Sequence, residues 1–199
     1  MVSVVIIAGT PGVGKTAVGR RIAKVLDGVF IDIPEFTKKN NLYEYYDRGL
    51  GTYVVDERKL EKKINETIKG LGYNRVVLAS HIIPKIEVAH EVKVVVIRLN
   101  PLLLIKRLKR RRYSSRKIVA NVESEFIGVV YNDAVKIYGV EKVIQVDSTC
   151  LNIADTVGKI LRFLKKGQSD DVDWLTTLSD YEIDKLLKFL TIKTTNKRR

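Results

Sequence analysis

Short runs rich in Val and Ile punctuate the chain at 2–8, 75–79, 92–98 and 142–146, and the stretches between them carry apolar residues at helical intervals. Runs this short and uniformly apolar suit strands buried on both faces. Their alternation with helices predicts a three-layer α/β fold, a doubly wound parallel sheet of about five strands. The stretch "DERKLEKKINETIKGLG" (56–72) predicts one of the helices: Asp56 can cap it, Leu60, Ile64 and Ile68 share a face, and Gly70 and Gly72 end it. Residues 101–139 read as two helical pieces broken near "YSS", and a further helix over 151–165 follows the last strand.

After Gly167 the pattern changes. "GQSDD" reads as a linker, and Ser179 with Glu182 forms a capping box ahead of "DYEIDKLLKFL". That helix gathers Ile183, Leu186, Leu187 and Leu190 on one side, which must bury against the rest of the chain or against a partner. The end "KTTNKRR" reads as frayed. The expected organisation is a domain over 1–166 and a C-terminal helical extension over 167–199.

Composition narrows the setting. The opening "MVSVVIIAG" has no basic leader and is far shorter than the roughly 20 apolar residues of a membrane span, so it predicts a buried strand and no membrane association. Cys150 is the only cysteine, which excludes an internal disulfide and points to a cytoplasmic setting. A formal net charge of +13 favours anionic company, phosphates, nucleotides or nucleic acid. The same charge also fits a lysine-rich solvated surface suited to heat.

The chemistry begins at "GTPGVGKT" (9–16), where Gly9, Gly14, Lys15 and Thr16 match G-x-x-x-x-G-K-[ST] between a strand and a helix carrying Ile22, Val25 and Leu26. Glycines let backbone N–H groups turn inward around phosphate oxygens, and the helix N-terminus adds its positive dipole. Lys15 is then the cation for the β- and γ-phosphates, and the Thr16 hydroxyl the ligand for Mg²⁺. GTPases, ATPases and small-molecule kinases share such a loop. With no N-K-x-D guanine signature and too little chain for a motor core, small kinases and small ATPases remain.

A kinase of nucleoside monophosphates needs a second anion site, a mobile acceptor arm and cations that close over the transferring group. The arm can be residues 32–55, which lie between the second strand and helix 56–72. Asp32, Glu35, Lys38, Asp47 and Arg48 are its candidates for the monophosphate, against the alternative of a solvated helical hairpin without ligand. The cations can come from "RLKRRRY", with Arg107, Lys109, Arg110, Arg111 and Arg112, unless this is a solvated cationic face or an RNA-binding patch.

These motifs together resemble the adenylate kinase isoenzyme 6 family, also described as ribosome-maturation ATPases. The resemblance rests on "GTPGVGKT", on "LYEYYD" followed by "VVDERKL", and on "RLNPLLLIKRLKRRRYSSRKIVANVESE" with "YNDA" behind it, and covers roughly residues 1–165. It implies a P-loop nucleoside monophosphate kinase fold, with 32–55 as the monophosphate-binding region and 110–120 as a short lid. ATP and AMP would be the substrates, with Mg²⁺ as cofactor. Gly12, Gly14, Lys15, Thr16 and Ala17 would contact ATP from the loop and Arg111 from the lid, with Lys15 and Arg111 as the catalytic pair. It further implies ATP hydrolysis and a role in small ribosomal subunit maturation, with a ribosomal protein and rRNA as partners; the expected state is a monomer or weak dimer.

One departure stands out. The family places an acid and a histidine at the end of the third strand, whereas "RVVLASHIIP" offers Ser80 and His81 there and no carboxylate. His81 is a candidate for ordering water, and Asp32 or Glu35 could approach the metal from a neighbouring strand end. Three readings follow: an adenylate kinase, an ATP-driven assembly factor, or another small-molecule P-loop kinase. Only the resemblance, and not the loop, specifies AMP.

Overall fold

The computed structural model describes the backbone of residues 1–195 and the side chains of residues 1–191. Five parallel strands form one sheet: β1 (Ser3–Ala8), β2 (Val29–Asp32), β5 (Arg75–Ser80), β6 (Glu91–Arg98) and β7 (Val143–Asp147), in the order β2-β5-β1-β6-β7. Along the central strand, Ile6 pairs with Leu78 on one side and Val94 on the other. Strand order reverses around β1, which opens a crevice at the carboxyl ends of the strands.

The uniform apolarity of the strands has a direct cause. Ile7, Val77, Val95 and Ile97 face one core, against α1 (Lys15–Val25), α4 (Pro101–Arg110), α5 (Ser115–Phe126) and α7 (Ile153–Lys166). Val4, Ile6, Leu78, Val94 and Val96 face the other, against α3 (Glu57–Gly70) and α6 (Val129–Tyr138). Asp56 caps α3 by accepting from the Lys59 N–H at 3.1 Å, as its position predicts.

Two readings of the sequence need correction. Residues 101–139 form three helices, because Gly128, at φ 69°, takes a left-handed backbone that separates α5 from α6. Residues 32–55 are not a helical hairpin. They form a short helix, α2 (Ile33–Lys39), and an antiparallel β-hairpin of β3 (Tyr43–Asp47) and β4 (Thr52–Val55) that stands apart from the main sheet. The aromatic-rich segment favours strands, and Tyr46 pairs directly with Tyr53.

The last segment returns to the sheet. It carries α8 (Trp174–Thr177) and α9 (Asp180–Thr195). Ser179 and Glu182 form the expected capping box: the Ser179 N–H donates to Glu182 Oε2 at 3.1 Å, and the Glu182 N–H to Ser179 Oγ at 3.4 Å. Ile183, Leu186 and Leu190 join the core beside α4 and α5, while Leu187 stays exposed. Trp174 is among the largest fully buried side chains of the molecule. The expected fraying of "KTTNKRR" concerns residues 193–199, of which 196–199 lie outside the described residues. Among the described residues no helix is long and apolar enough to cross a membrane.

Candidate active site

The crevice at the end of β1 is filled by the phosphate loop. At Gly9 an added Cβ would stand 2.5 Å from the Ile97 carbonyl oxygen, so only glycine lets the loop run this close to β6. At Gly14, the N-cap of α1, φ is 116°, a conformation that L side chains rarely adopt. The turn leaves the first N–H groups of α1 directed into the crevice with the helix dipole behind them.

Lys15 is the first residue of α1 rather than part of a freely solvated loop. Its Nζ donates to the Thr10 carbonyl at 3.2 Å. Desolvation pulls its pKa down to about 8; the Asp32 carboxylate opposes this, the Arg111 charge adds to it, and the Glu125 charge opposes it. Beside it, the Thr16 hydroxyl donates to Asp32 Oδ2 at 2.8 Å, and the Glu35 N–H donates to Asp32 Oδ1 at 3.2 Å. Asp32 thus caps α2 while presenting a carboxylate to the loop. It ends β2, and strand pairing sets it opposite Ala79 on β5. The end of β5 carries no carboxylate, and the nearest one on the neighbouring strand is Asp32.

A cleft of about 650 Å³ opens over these groups, and the walls include Gly12, Gly14, Lys15, Thr16, Ala17, Asp32, Glu35, His81 and Arg111. Of the acceptor-arm candidates, Lys38, Asp47 and Arg48 are not on its walls. Lys38 sits exposed in the last turn of α2, Arg48 is exposed at the hairpin turn, and Asp47 accepts from the Leu50 N–H at 2.9 Å to close that turn. The cleft walls also include Arg20, Thr52, Tyr113 and Lys117, none singled out from the sequence, although Thr52 lies in the 32–55 arm and Tyr113 and Lys117 in the 110–120 lid. Arg20 reaches Glu35 at 3.8 Å, and Lys117 Nζ donates to the Gly51 carbonyl at 3.0 Å, joining the first turn of α5 to the hairpin. The available signal for Lys117 was its place in the first turn of a helix capped by Ser114, just behind the arginine cluster.

His81 reaches the cleft from the end of β5. Although the residue is exposed as a whole, desolvation of its ring at the cleft mouth, then the charges of Lys15 and Lys117, lower its pKa to about 4, with Asp32 opposing. The imidazole is therefore neutral at physiological pH and able to orient water or a ligand oxygen without adding charge.

A second cleft of about 730 Å³ lies on the other side of the loop, between Arg107, Arg110 and Arg111 and the segment Ser148–Ala154. Leu151, Ile153 and Val18 contribute apolar wall here. Arg107 donates to the Val13 carbonyl at 3.1 Å and steadies the crown of the loop. Arg111 belongs to both clefts. Its position follows from how α4 ends: the Arg112 N–H bonds to Lys109 O at 2.9 Å and the Tyr113 N–H to Leu108 O at 3.3 Å, with Arg112 left-handed at φ 56°. That double closure turns the chain sharply after Arg111.

The match to known proteins agrees with this geometry. A family model described as an AAA domain matches residues 5–128. A protein named "Putative adenylate kinase" from Saccharolobus solfataricus is 30% identical over 94% of this chain and 94% of its own length. Another of the same name from Methanocaldococcus jannaschii is 31% identical over 88% of this chain and 94% of its own length. Among solved structures, a gluconokinase from Sinorhizobium meliloti has a TM-score of 0.56 at 19% identity, covering 83% of this chain and 92% of that one, a likeness of fold.

Proposed function

This chain belongs to the P-loop family that the AAA-domain model describes and is a nucleotide kinase, and from that premise we propose that it is an adenylate kinase, transferring the terminal phosphoryl group of ATP to AMP to give two ADP. The observation that carries the reading is the pair of clefts meeting across one phosphate loop, with Arg111 on the wall of both. The cleft beside Ser148–Ala154 would take the adenosine of ATP against its apolar wall. The cleft beneath the hairpin would take AMP, so the two phosphate chains meet over Lys15.

An oxygen of the AMP phosphate attacks the γ-phosphorus in line, and the bond to the β-phosphate oxygen breaks, leaving ADP on both sides. The protein's part is position and charge. Loop N–H groups and Lys15 would hold the β- and γ-oxygens, and Arg111 would stabilise the charge that spreads over the transferring group. His81, neutral, would orient an acceptor oxygen or water.

Thr16 and Asp32 converge as two hard oxygen donors at the head of α1, which fits Mg²⁺, an ion commonly held by one or two protein oxygens together with substrate phosphates. Mg²⁺ supplies neutralisation of phosphate charge when bound. We therefore assign Asp32 to the metal side of the site and leave Glu35 on the acceptor side.

The test is ADP formation from ATP with and without AMP, CMP and dAMP. A large rise on adding AMP supports the reading. Turnover indifferent to every monophosphate contradicts it, and would favour the ATP-driven assembly factor with a ribosomal protein or rRNA as partner.

A further inference from the structure

Glu125 is a carboxylate on the buried stripe of α5, in register with Ile118, Val119 and Val122. Its side chain is 2% exposed and accepts four hydrogen bonds. Oε1 takes Arg98 Nε at 2.8 Å, the Leu99 N–H at 3.2 Å and the Trp174 indole N–H at 3.1 Å. Oε2 takes the Thr10 hydroxyl at 2.6 Å. Thr10 lies inside the phosphate loop, and its carbonyl in turn accepts from Lys15 Nζ and from the Val13 N–H.

A buried ion pair such as Arg98 with Glu125 is a poor source of stability, because apolar residues of similar volume often serve as well. What four charge-assisted bonds do supply is a fixed direction. Arg98 is held in the same way, by Gln145 Oε1 at 2.6 Å, the Val172 carbonyl at 3.1 Å and the Glu125 carbonyl at 2.8 Å. A continuous set of bonds therefore runs from Trp174 and Val172, behind the linker, through Glu125 to Thr10 and the Lys15 ammonium.

We propose that Glu125 is a positioning residue for phosphoryl transfer, holding the phosphate loop through Thr10, and that the C-terminal segment completes it by way of Trp174. The proposal rests on the reading of residues 9–16 as the phosphate site. Residues 167–199 are then more than a docked helix, because the donor Trp174 Nε1 belongs to them. Thr10, fully enclosed, has its hydroxyl committed to this contact, so losing it leaves the loop carbonyl on which Lys15 rests held only by the backbone bond from the Val13 N–H.

The experiment uses the full chain and measures initial rates of ADP formation, together with melting curves, at a temperature where each variant is folded. Thr10→Val keeps the shape and removes the hydroxyl. It is expected to lose roughly ten- to a hundredfold in kcat with little change in KM for AMP, the pattern of a displaced catalytic group. Thr10→Ser, which restores the donor, should return most of the rate. Trp174→Phe should lower kcat in the same direction by a smaller factor, since Oε1 keeps two donors. Glu125→Gln is the most direct change but leaves Arg98 unpaired; if it fails to fold, the Thr10 pair still decides. A folded Thr10→Val with native kcat, or a Thr10→Ser as slow as Thr10→Val, overturns the proposal. Lys15→Ala separates the two levels: native turnover in Lys15→Ala removes the phosphate-site reading and this proposal with it, whereas an inactive Lys15→Ala beside a native Thr10→Val removes this proposal alone.

Discussion

Residues 9–16 hold Lys15 and Thr16 between a buried strand and a helix, with the Ile97 backbone against Gly9 and Glu125 beneath Thr10. Residues 43–55 stand outside the sheet as a two-stranded hairpin; its Tyr45 and Tyr46 are 57% and 50% exposed, and its tip meets α5 through the bond from Lys117 to Gly51. On the proposed reading, the phosphate-loop side of the reaction is preorganised by the core, and the acceptor side is held by a few contacts among exposed groups. Fixed donors suit charge that must be met without reorganisation, while a lightly held arm suits a substrate that enters and leaves. The difference predicts that changes at the loop act on kcat and changes at the hairpin act on KM for AMP.

The largest effect is expected for Lys15→Ala, a loss in kcat of about 10²–10³ or more with the fold retained, because it removes a cation from a preorganised site. Steady-state kinetics and circular dichroism check it together. Arg111→Ala should follow, with a loss of about 10² in kcat exceeding any rise in KM. An effect confined to KM would move Arg111 to the binding side of the comparison. Lys117→Ala, which unlatches the hairpin, should raise KM for AMP by roughly three- to tenfold and leave kcat nearly unchanged.

The smallest effect is a titration. The His81 imidazole should titrate at about 4, and the midpoint can be read by NMR separately from His90. Between the ordinary 6.5 and that value the unfolded chain binds a proton that the folded chain does not, so stability falls as pH drops through this window. A midpoint near 6.5 would mean that neither the cleft walls nor Lys15 and Lys117 act on it.

How much of this was legible depends on how local each feature is. The loop is written in eight consecutive residues, and its strand and helix are its immediate neighbours, so sequence alone identified it. The Asx cap of α3 and the capping box of α9 were readable for the same reason. Asp32 was only a candidate for the metal, because its closeness to Thr16 depends on β2 lying beside β5, a pairing between residues more than forty positions apart. Lys38, Asp47 and Arg48 do not line the cleft: charge on an acceptor arm does not say which way the arm turns, and the Asp47 side chain serves its own turn. Glu125 left a faint signal, a carboxylate at an apolar position of a helical stripe, which demands a partner. Its partners Arg98 and Trp174 lie 27 and 49 residues away, beyond what local periodicity can supply.

The most direct measurement is the affinity of two adenosines joined by a polyphosphate long enough to span both clefts, determined by calorimetry beside ATP and AMP alone. Two nucleotide sites facing each other across one phosphate loop predict a single molecule bound per chain, at least about a hundredfold more tightly than ATP, and displaced by either nucleotide. Affinity no greater than that of ATP, or displacement by ATP but not by AMP, would contradict the account that the cleft beneath the hairpin is the acceptor site.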